Sequence, residues 1–182
     1  TNAASGDTDA KRAVHTGLVH GEVRVKLSIV IPAKDEEQGL AMTLPRLLES
    51  YPEAEVIVVN DGSSDGTADI CEQSGVRRVD HPYSKGNGAA IKSGARAATG
   101  DFIVFMDGDG QHDPADIEKL LYKVEEGYDM VVGARTGRDD QASFARWSAN
   151  SLYNWFASWM VNRKIDDLTS GFLIVNRKKF LH

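Results

Sequence analysis

Two carboxylates and an amide stand together at Asp107-Gly108-Asp109-Gly110-Gln111, directly after the apolar run Phe102-Ile103-Val104-Phe105-Met106. Hard oxygen ligands in this pattern suit Mg²⁺ or Mn²⁺, and an octahedral shell around either ion is completed by oxygens from a diphosphate. The glycines leave room for backbone to approach a ligand. The same run also reads as a polar turn whose carboxylates cap their own backbone, and taken alone it leaves both readings open. A second acidic loop, Asp61-Gly62-Ser63-Ser64-Asp65-Gly66 with Glu72 beyond it, has the spacing of a calcium-binding EF-hand loop. That chemistry needs a helix on each side, whereas Val56-Ile57-Val58-Val59 ahead of the loop signals a strand. Gly86-Asn87-Gly88 opens an alanine-rich stretch but lacks the third glycine of a dinucleotide fingerprint. Lys85 beside it is either a point charge for a phosphate or a solvated loop lysine.

Strand-like runs precede these loops. Leu27–Ile31, Val56–Val59, Val76–Val79, Phe102–Met106 and Met130–Val132 are short, apolar and mostly rich in β-branched residues. Helical stretches alternate with them. Asp35 and Gln38 have capping-box spacing ahead of a helix reaching Ser50, which Pro45 is expected to bend or divide. Thr67–Ser74 and Gly88–Ala98 read as helices. Asp113-Pro114 supplies an N-cap with proline at the first helical position, before the stripe Ile117, Leu120, Leu121 and Val124. The alternation predicts a single α/β domain over residues 25–182, with a mostly parallel sheet covered by helices on both faces and an N-terminal arm at 1–24. In such sheets ligands sit at the carboxyl ends of the strands, where the polar loops fall.

The chain has 182 residues and a net charge of −6, which argues against nucleic acid as a partner. Residues 135–182 nevertheless carry eight Lys/Arg against four Asp/Glu, a basic end suited to an anion. Phe144, Trp147, Leu152, Trp155, Phe156, Trp159 and Met160 lie at helical spacings, bracketed by Arg146 and Arg163-Lys164. They suit either a membrane interface or the packing of a helix on the sheet. No apolar run reaches the length of a membrane span. Cys71 is the only cysteine, which excludes a disulfide framework and fits a reducing, cytoplasmic location; it reads as an inert small residue. His112, beside the acidic loop, reads as a turn residue or a phosphate contact. Asp166-Asp167 reads as a turn feature or as a source of a general base.

Read together, the loops resemble family 2 glycosyltransferases of the GT-A fold (Rossmann-like nucleotide-diphospho-sugar transferases), closest to the dolichyl-phosphate mannose synthase-like, polyprenyl-phosphate branch. The stretches that carry the resemblance are Ile31–Glu37, Val59–Thr67, Lys85–Ile91, Ala98–Asp101, Asp107–Pro114, Val132–Arg135 and Leu168–Phe172, in the family's order. The resemblance implies that Pro32, Ala33, Asp35, Glu36, Asp61, Lys85, Asp107 and Gly108 bind a UDP- or GDP-sugar. It implies Asp107, Asp109 and Gln111 as ligands of Mg²⁺ or Mn²⁺, Asp109 and Arg135 as catalytic, and Arg135 with Arg146 as the site of an acceptor phosphate. The implied activity is inverting transfer of a hexose to a polyprenyl phosphate by a protein peripheral to the cytoplasmic face of a membrane. Transfer to a carbohydrate hydroxyl, or donor binding without turnover, are the alternatives. Lys34 and Asp35 depart from the Tyr and Asn frequent in the branch, and Asn60 from the first of two frequent aspartates. Family members also continue past the Ser-Gly-Phe segment, which implies a domain truncated at its C-terminus.

Overall fold

The computed structural model describes residues 19–20, 23–133 and 171–181. Strands β1 (Val19–His20) and β2 (Val23–Arg24) pair antiparallel as a small separate ladder within the expected arm. The main sheet has six strands in the order β5-β4-β3-β6-β8-β7. Strands β3 (Leu27–Ala33), β4 (Glu55–Asn60), β5 (Arg77–Asp80) and β6 (Phe102–Phe105) are mutually parallel. On the far side β8 (Leu173–Asn176) runs antiparallel to both β6 and β7 (Met130–Val132). The run Leu173-Ile174-Val175 was absent from the sequence-based strands, and it is the element that joins β7 to the sheet.

Alternation along the strands divides the core. Ile29, Ile31, Val56, Val58, Val104 and Met106 face α1 (Glu37–Ser50) and α4 (Ile117–Glu125). Val30, Ile57, Val59, Ile103 and Phe105 face α3 (Asn87–Ala97). Helices therefore cover both faces, as a parallel sheet requires. The α1 stripe Gly39, Leu40, Thr43, Leu44 and Leu47 has the period of a helix buried on one side. A Cβ on Gly94 of α3 would lie 2.3 Å from Val30 Cγ1, so only glycine lets this helix sit so close to the sheet.

Two local expectations are corrected. Pro45 does not divide α1, which runs continuously; Pro45 and Ala41, whose carbonyl it leaves without a helical donor, are both exposed, so water can take that place. Asp35 and Gln38 do not form a capping box. Asp35 takes a left-handed conformation (φ 55°), and Glu36 is the N-cap residue without a side-chain cap. The cap comes from a distant loop: Glu37 N–H donates to Asp65 Oδ2 (3.1 Å), and Glu37 Oε2 accepts from Gly66 N–H (3.1 Å), just ahead of α2 (Thr67–Gln73). By contrast Asp113 caps as expected, accepting from Ala115 N–H at 3.0 Å ahead of the 3-10 turn Pro114–Asp116. Cys71 is buried, and that burial pushes its thiol up to about 11, as for an inert core residue.

Candidate functional site

The chain winds outward from β3 to β4 and β5, then crosses back to place β6 on the other side of β3. The strand order thus reverses between β3 and β6, the point where open α/β sheets form a crevice for ligands. Glu36 follows β3, and Asp107 and Asp109 follow β6. Asp107 and Asp109 lie within electrostatic reach of Glu36. Partial burial raises the Glu36 carboxyl above its ordinary value, and Asp109, Asp65, Asp107 and Asp35 raise it further by like-charge repulsion.

Close backbone packing positions the acidic loop. A Cβ on Gly39 would stand 2.2 Å from the Gly108 carbonyl oxygen, so the first turn of α1 rests directly on the loop. Gly108 itself is buried, and its Cβ would meet Ile31 and Leu40 at 3.3 Å. Its missing side chain therefore serves core packing. On the other side, a Cβ on Gly171 would come within 2.3 Å of the Asp107 carboxylate. The His112 ring stacks on Phe172 with centroids 5.0 Å apart, and its Nε2 lies 3.5 Å from Asp107 Oδ2. His112 is thus more than a turn residue. Gly133 N–H donates to the Phe172 carbonyl (2.8 Å), which brings the end of β7 to the same place.

Asp107 and Asp109 are lightly held. Among the described contacts, Asp109 Oδ1 accepts only from Gln111 N–H (3.0 Å), and Gln111 is exposed. Among the described residues no group of three or more His, Cys, Asp or Glu side chains is placed to hold a metal ion. Two carboxylates with few partners, Asp107 and Asp109, fit a hard divalent cation that takes its further positions from other oxygens.

Lys34 and Asp35 are tied to the neighbouring loop. Lys34 Nζ donates to the Gly62 carbonyl (2.9 Å), and Asp35 Oδ1 accepts from Ser64 N–H (2.7 Å), which holds the Asp35 carboxyl below its ordinary value. The first strand of the main sheet runs two residues further than its apolar run indicated: Pro32 and Ala33 lie within β3, paired with Val59 and Asn60 of β4. Asp61 is a contrast to Asp109. Its buried carboxylate accepts from His81 Nδ1, Ser84 Oγ, Lys85 N–H and Gly86 N–H at 2.6–2.8 Å. Burial by itself would raise its pKa, but these donors outweigh burial and hold it well below the carboxylate range. Lys85 is exposed, its ammonium 5.7 Å from the centre of the Tyr83 ring.

His81 and Phe172 are contributors that the sequence did not single out as side chains. Phe172 lay within a matched stretch, whereas His81 follows the largely exposed strand β5 and carried no pattern. Arg135, Arg146, the aromatic segment 144–160 and Asp166-Asp167 lie outside the described residues.

Comparison with known proteins agrees with this fold. Undecaprenyl-phosphate 4-deoxy-4-formamido-L-arabinose transferase of Proteus mirabilis is 34% identical over 152 residues, covering 78% of this chain and 46% of the relative. The protein of the same name from Pseudomonas fluorescens is 37% identical over 137 residues, covering 69% and 40%. The chain thus spans less than half the length of these relatives. Among solved structures, glucosyl-3-phosphoglycerate synthase of Mycobacterium tuberculosis with Mn²⁺ and UDP-glucose superposes with a TM-score of 0.67 at 25% identity, over 85% of this chain and 57% of that one. Mannosyl-3-phosphoglycerate synthase of Rubrobacter xylanophilus, at 20% identity and a TM-score of 0.71 over 86% and 55%, shares the fold. The family model for glycosyl transferase family 2 matches residues 28–181, and the chain belongs to that family.

Proposed function

We propose that the chain acts as an inverting, divalent-metal-dependent glycosyltransferase that moves a hexose from a UDP- or GDP-sugar to a polyprenyl phosphate at the cytoplasmic face of a membrane. The observation that carries the reading is a pair of lightly held carboxylates, Asp107 and Asp109, presented directly after β6 at the β3/β6 switch point. Asp107 and Asp109, with Gln111, would hold Mg²⁺ or Mn²⁺. Bound there, the ion supplies Lewis-acid stabilisation of the charge that grows on the leaving diphosphate. Pro32, Ala33, Asp35 and Glu36 form the nucleotide edge of β3, and Lys85 offers a mobile positive charge to phosphate.

In the transfer an acceptor oxygen attacks the anomeric carbon from the face opposite the leaving group. The bond from that carbon to the diphosphate oxygen breaks, and the nucleoside diphosphate leaves with the electron pair. A lipid phosphate is already an anion and needs no general base, so positive charge from Arg135 and Arg146 is what its binding requires. The names of the relatives at 34–37% identity support this acceptor. Among the described residues no helix is long and apolar enough to cross a membrane. The aromatic and cationic residues between 144 and 164 have the composition that suits a membrane surface. A hydroxyl acceptor is the second reading, favoured by the likeness to synthases of glucosyl-3-phosphoglycerate.

Calorimetric titration with UDP and with GDP, each with and without Mn²⁺, tests the donor site. Metal-dependent binding of one nucleotide, lost in Asp109→Ala, is expected; a folded chain that binds neither overturns the reading. Transfer from the matching nucleotide sugar to undecaprenyl phosphate, reduced in Arg135→Ala, then tests the acceptor.

A further inference from the structure

We propose that Gly171 and His112 are positioning residues that set the direction of the Asp107 carboxylate, so that the segment entering β8 completes the acidic loop after β6. The inference rests on the nucleotide-sugar reading above and refines it, by assigning to that site two residues that act through Asp107. Strand register explains why the two segments meet. β8 runs antiparallel to β6, with Phe102 opposite Asn176 and Phe105 opposite Leu173. Continued past the ladder, the same register sets Met106 opposite Phe172 and Asp107 opposite Gly171. Facing residues of an antiparallel pair project to the same side, with Cβ atoms about 5 Å apart, so a side chain at position 171 would stand beside that of Asp107. Gly171 has none. A Cβ there would lie 2.3 Å from Asp107 Oδ2, 2.4 Å from Oδ1 and 2.6 Å from Cγ, so the carboxylate occupies the space over the bare Cα.

His112 borders the same carboxylate from within the acidic loop. Its ring stacks on Phe172, with centroids 5.0 Å apart and 17° between the planes. Phe172 is a firm support: it is buried in the core cluster that holds Ile31, Leu40 and Met106, and its carbonyl accepts from Gly133 N–H at the end of β7. At 3.5 Å from Asp107 Oδ2, His112 Nε2 is too distant for a strong hydrogen bond, so the stack is what fixes the ring. The His112 side chain is 13% exposed and that of Asp107 37%, so the ring is packed as a wall while the carboxylate stays open to a ligand. A carboxylate short of its own donors takes the rotamer that its walls leave, and a direction set before binding lowers the ordering cost when the donor arrives.

The test has two readouts. The first is a double-mutant cycle on Tm in the nucleotide-free chain, with no dependence on any ligand. Gly171→Ala is expected to lower Tm in the native background and to lower it by less than half as much in Asp107→Ala, where the carboxylate that the new methyl meets is gone. Equal losses in the two backgrounds mean that Gly171 serves the backbone alone, and overturn its role. Should Gly171→Ala not fold, folding of the double variant with Asp107→Ala is the supporting outcome and its failure to fold the opposing one. The second readout is the Kd for UDP and for GDP with Mn²⁺. Gly171→Ala and His112→Ala are expected to weaken the better-bound nucleotide by about tenfold or more, and His112→Phe, which keeps a ring on Phe172, to recover most of that loss. Unchanged binding in Gly171→Ala and His112→Ala overturns the proposal, and a His112→Phe protein as impaired as His112→Ala assigns the imidazole to ligand contact instead of positioning. If the native chain binds neither nucleotide, the functional reading fails, while the Tm cycle still decides whether Gly171 acts through Asp107.

Discussion

Two acidic loops leave the same edge of the sheet, and the protein treats their carboxylates in opposite ways. Asp61, after β4, is buried, saturated with donors and held far below the ordinary carboxylate range. Asp107 and Asp109, after β6, have few described partners and lie close enough to Glu36 to raise its pKa. Sequence treats the two as the same kind of Asp-Gly turn. A carboxylate with every lone pair engaged by protein holds the fold, whereas one left short of donors beside others of like charge keeps lone pairs for an outside partner, which under the proposed function is the cation.

Removing each carboxylate should separate the two roles, with the largest effect at Asp61. Asp61→Ala strands His81 Nδ1 and the N–H groups of Lys85 and Gly86, and a loss of about 3 kcal/mol in unfolding free energy is expected by urea denaturation. The effect depends on pH. Because the native pKa of Asp61 is lowered, its contribution is fully present above the unfolded value near 4 and is lost as pH falls through the native value. Native and Asp61→Ala stabilities should therefore converge on acidification below about pH 4. Equal stability of the two proteins at pH 7 would contradict the structural role of this loop.

The loop at Asp107 is positioned by packing, so a steric change should disturb it. In Gly39→Ala the new Cβ meets the Gly108 carbonyl oxygen, and overpacking of this kind costs about 2 kcal/mol. Weaker Mn²⁺-dependent nucleotide binding is expected along with that loss. Asp109→Ala removes a charge and no packing. Binding of UDP or GDP with Mn²⁺ should weaken by at least about tenfold, or about 1.4 kcal/mol, with unfolding free energy within about 0.5 kcal/mol of native. A large stability loss in Asp109→Ala would erase the contrast with Asp61.

Much of this contrast was hidden from sequence for a physical reason. Strand runs such as Ile29–Ile31 and Val56–Val59, the α4 stripe and the Asp113-Pro114 start are local signals, and each appears where its pattern indicates. The acidic pair at Asp107 and Asp109 was legible for the same reason, since a polar turn directly after an apolar strand must open at the sheet edge. Long-range partners were not legible. Asp35 matched a helix cap, yet Asp65, 28 residues from Glu37, supplies it. His81 gains its meaning from Asp61 and Ser93, 20 and 12 residues away, and the strand before it is mostly exposed. Leu173–Asn176 carries a strand pattern, but its place between β6 and β7 depends on antiparallel partners that no local pattern names.

The smallest expected effect tests whether the open loop feels its own charge. Glu36 has a raised native pKa, caused first by burial and then by Asp109, Asp65, Asp107 and Asp35. A carboxyl whose native pKa lies above its unfolded value favours the native state fully below the unfolded value, and that advantage is lost as pH rises through the native one. At pH 7 the ionised Glu36 therefore works against folding, and Glu36→Gln should raise Tm, by no more than about 2 °C because the site is partly solvated. The gain should shrink toward zero as pH is lowered to about 4, where native Glu36 is itself protonated. Mn²⁺ with UDP or GDP should also shrink it, since a cation among these carboxylates removes the repulsion that the substitution relieves. No such compensation by cation is expected at Asp61, whose lone pairs are already engaged. A Glu36→Gln protein with unchanged Tm at pH 7, with or without Mn²⁺, would mean that Asp107 and Asp109 do not act on Glu36 as one charged cluster.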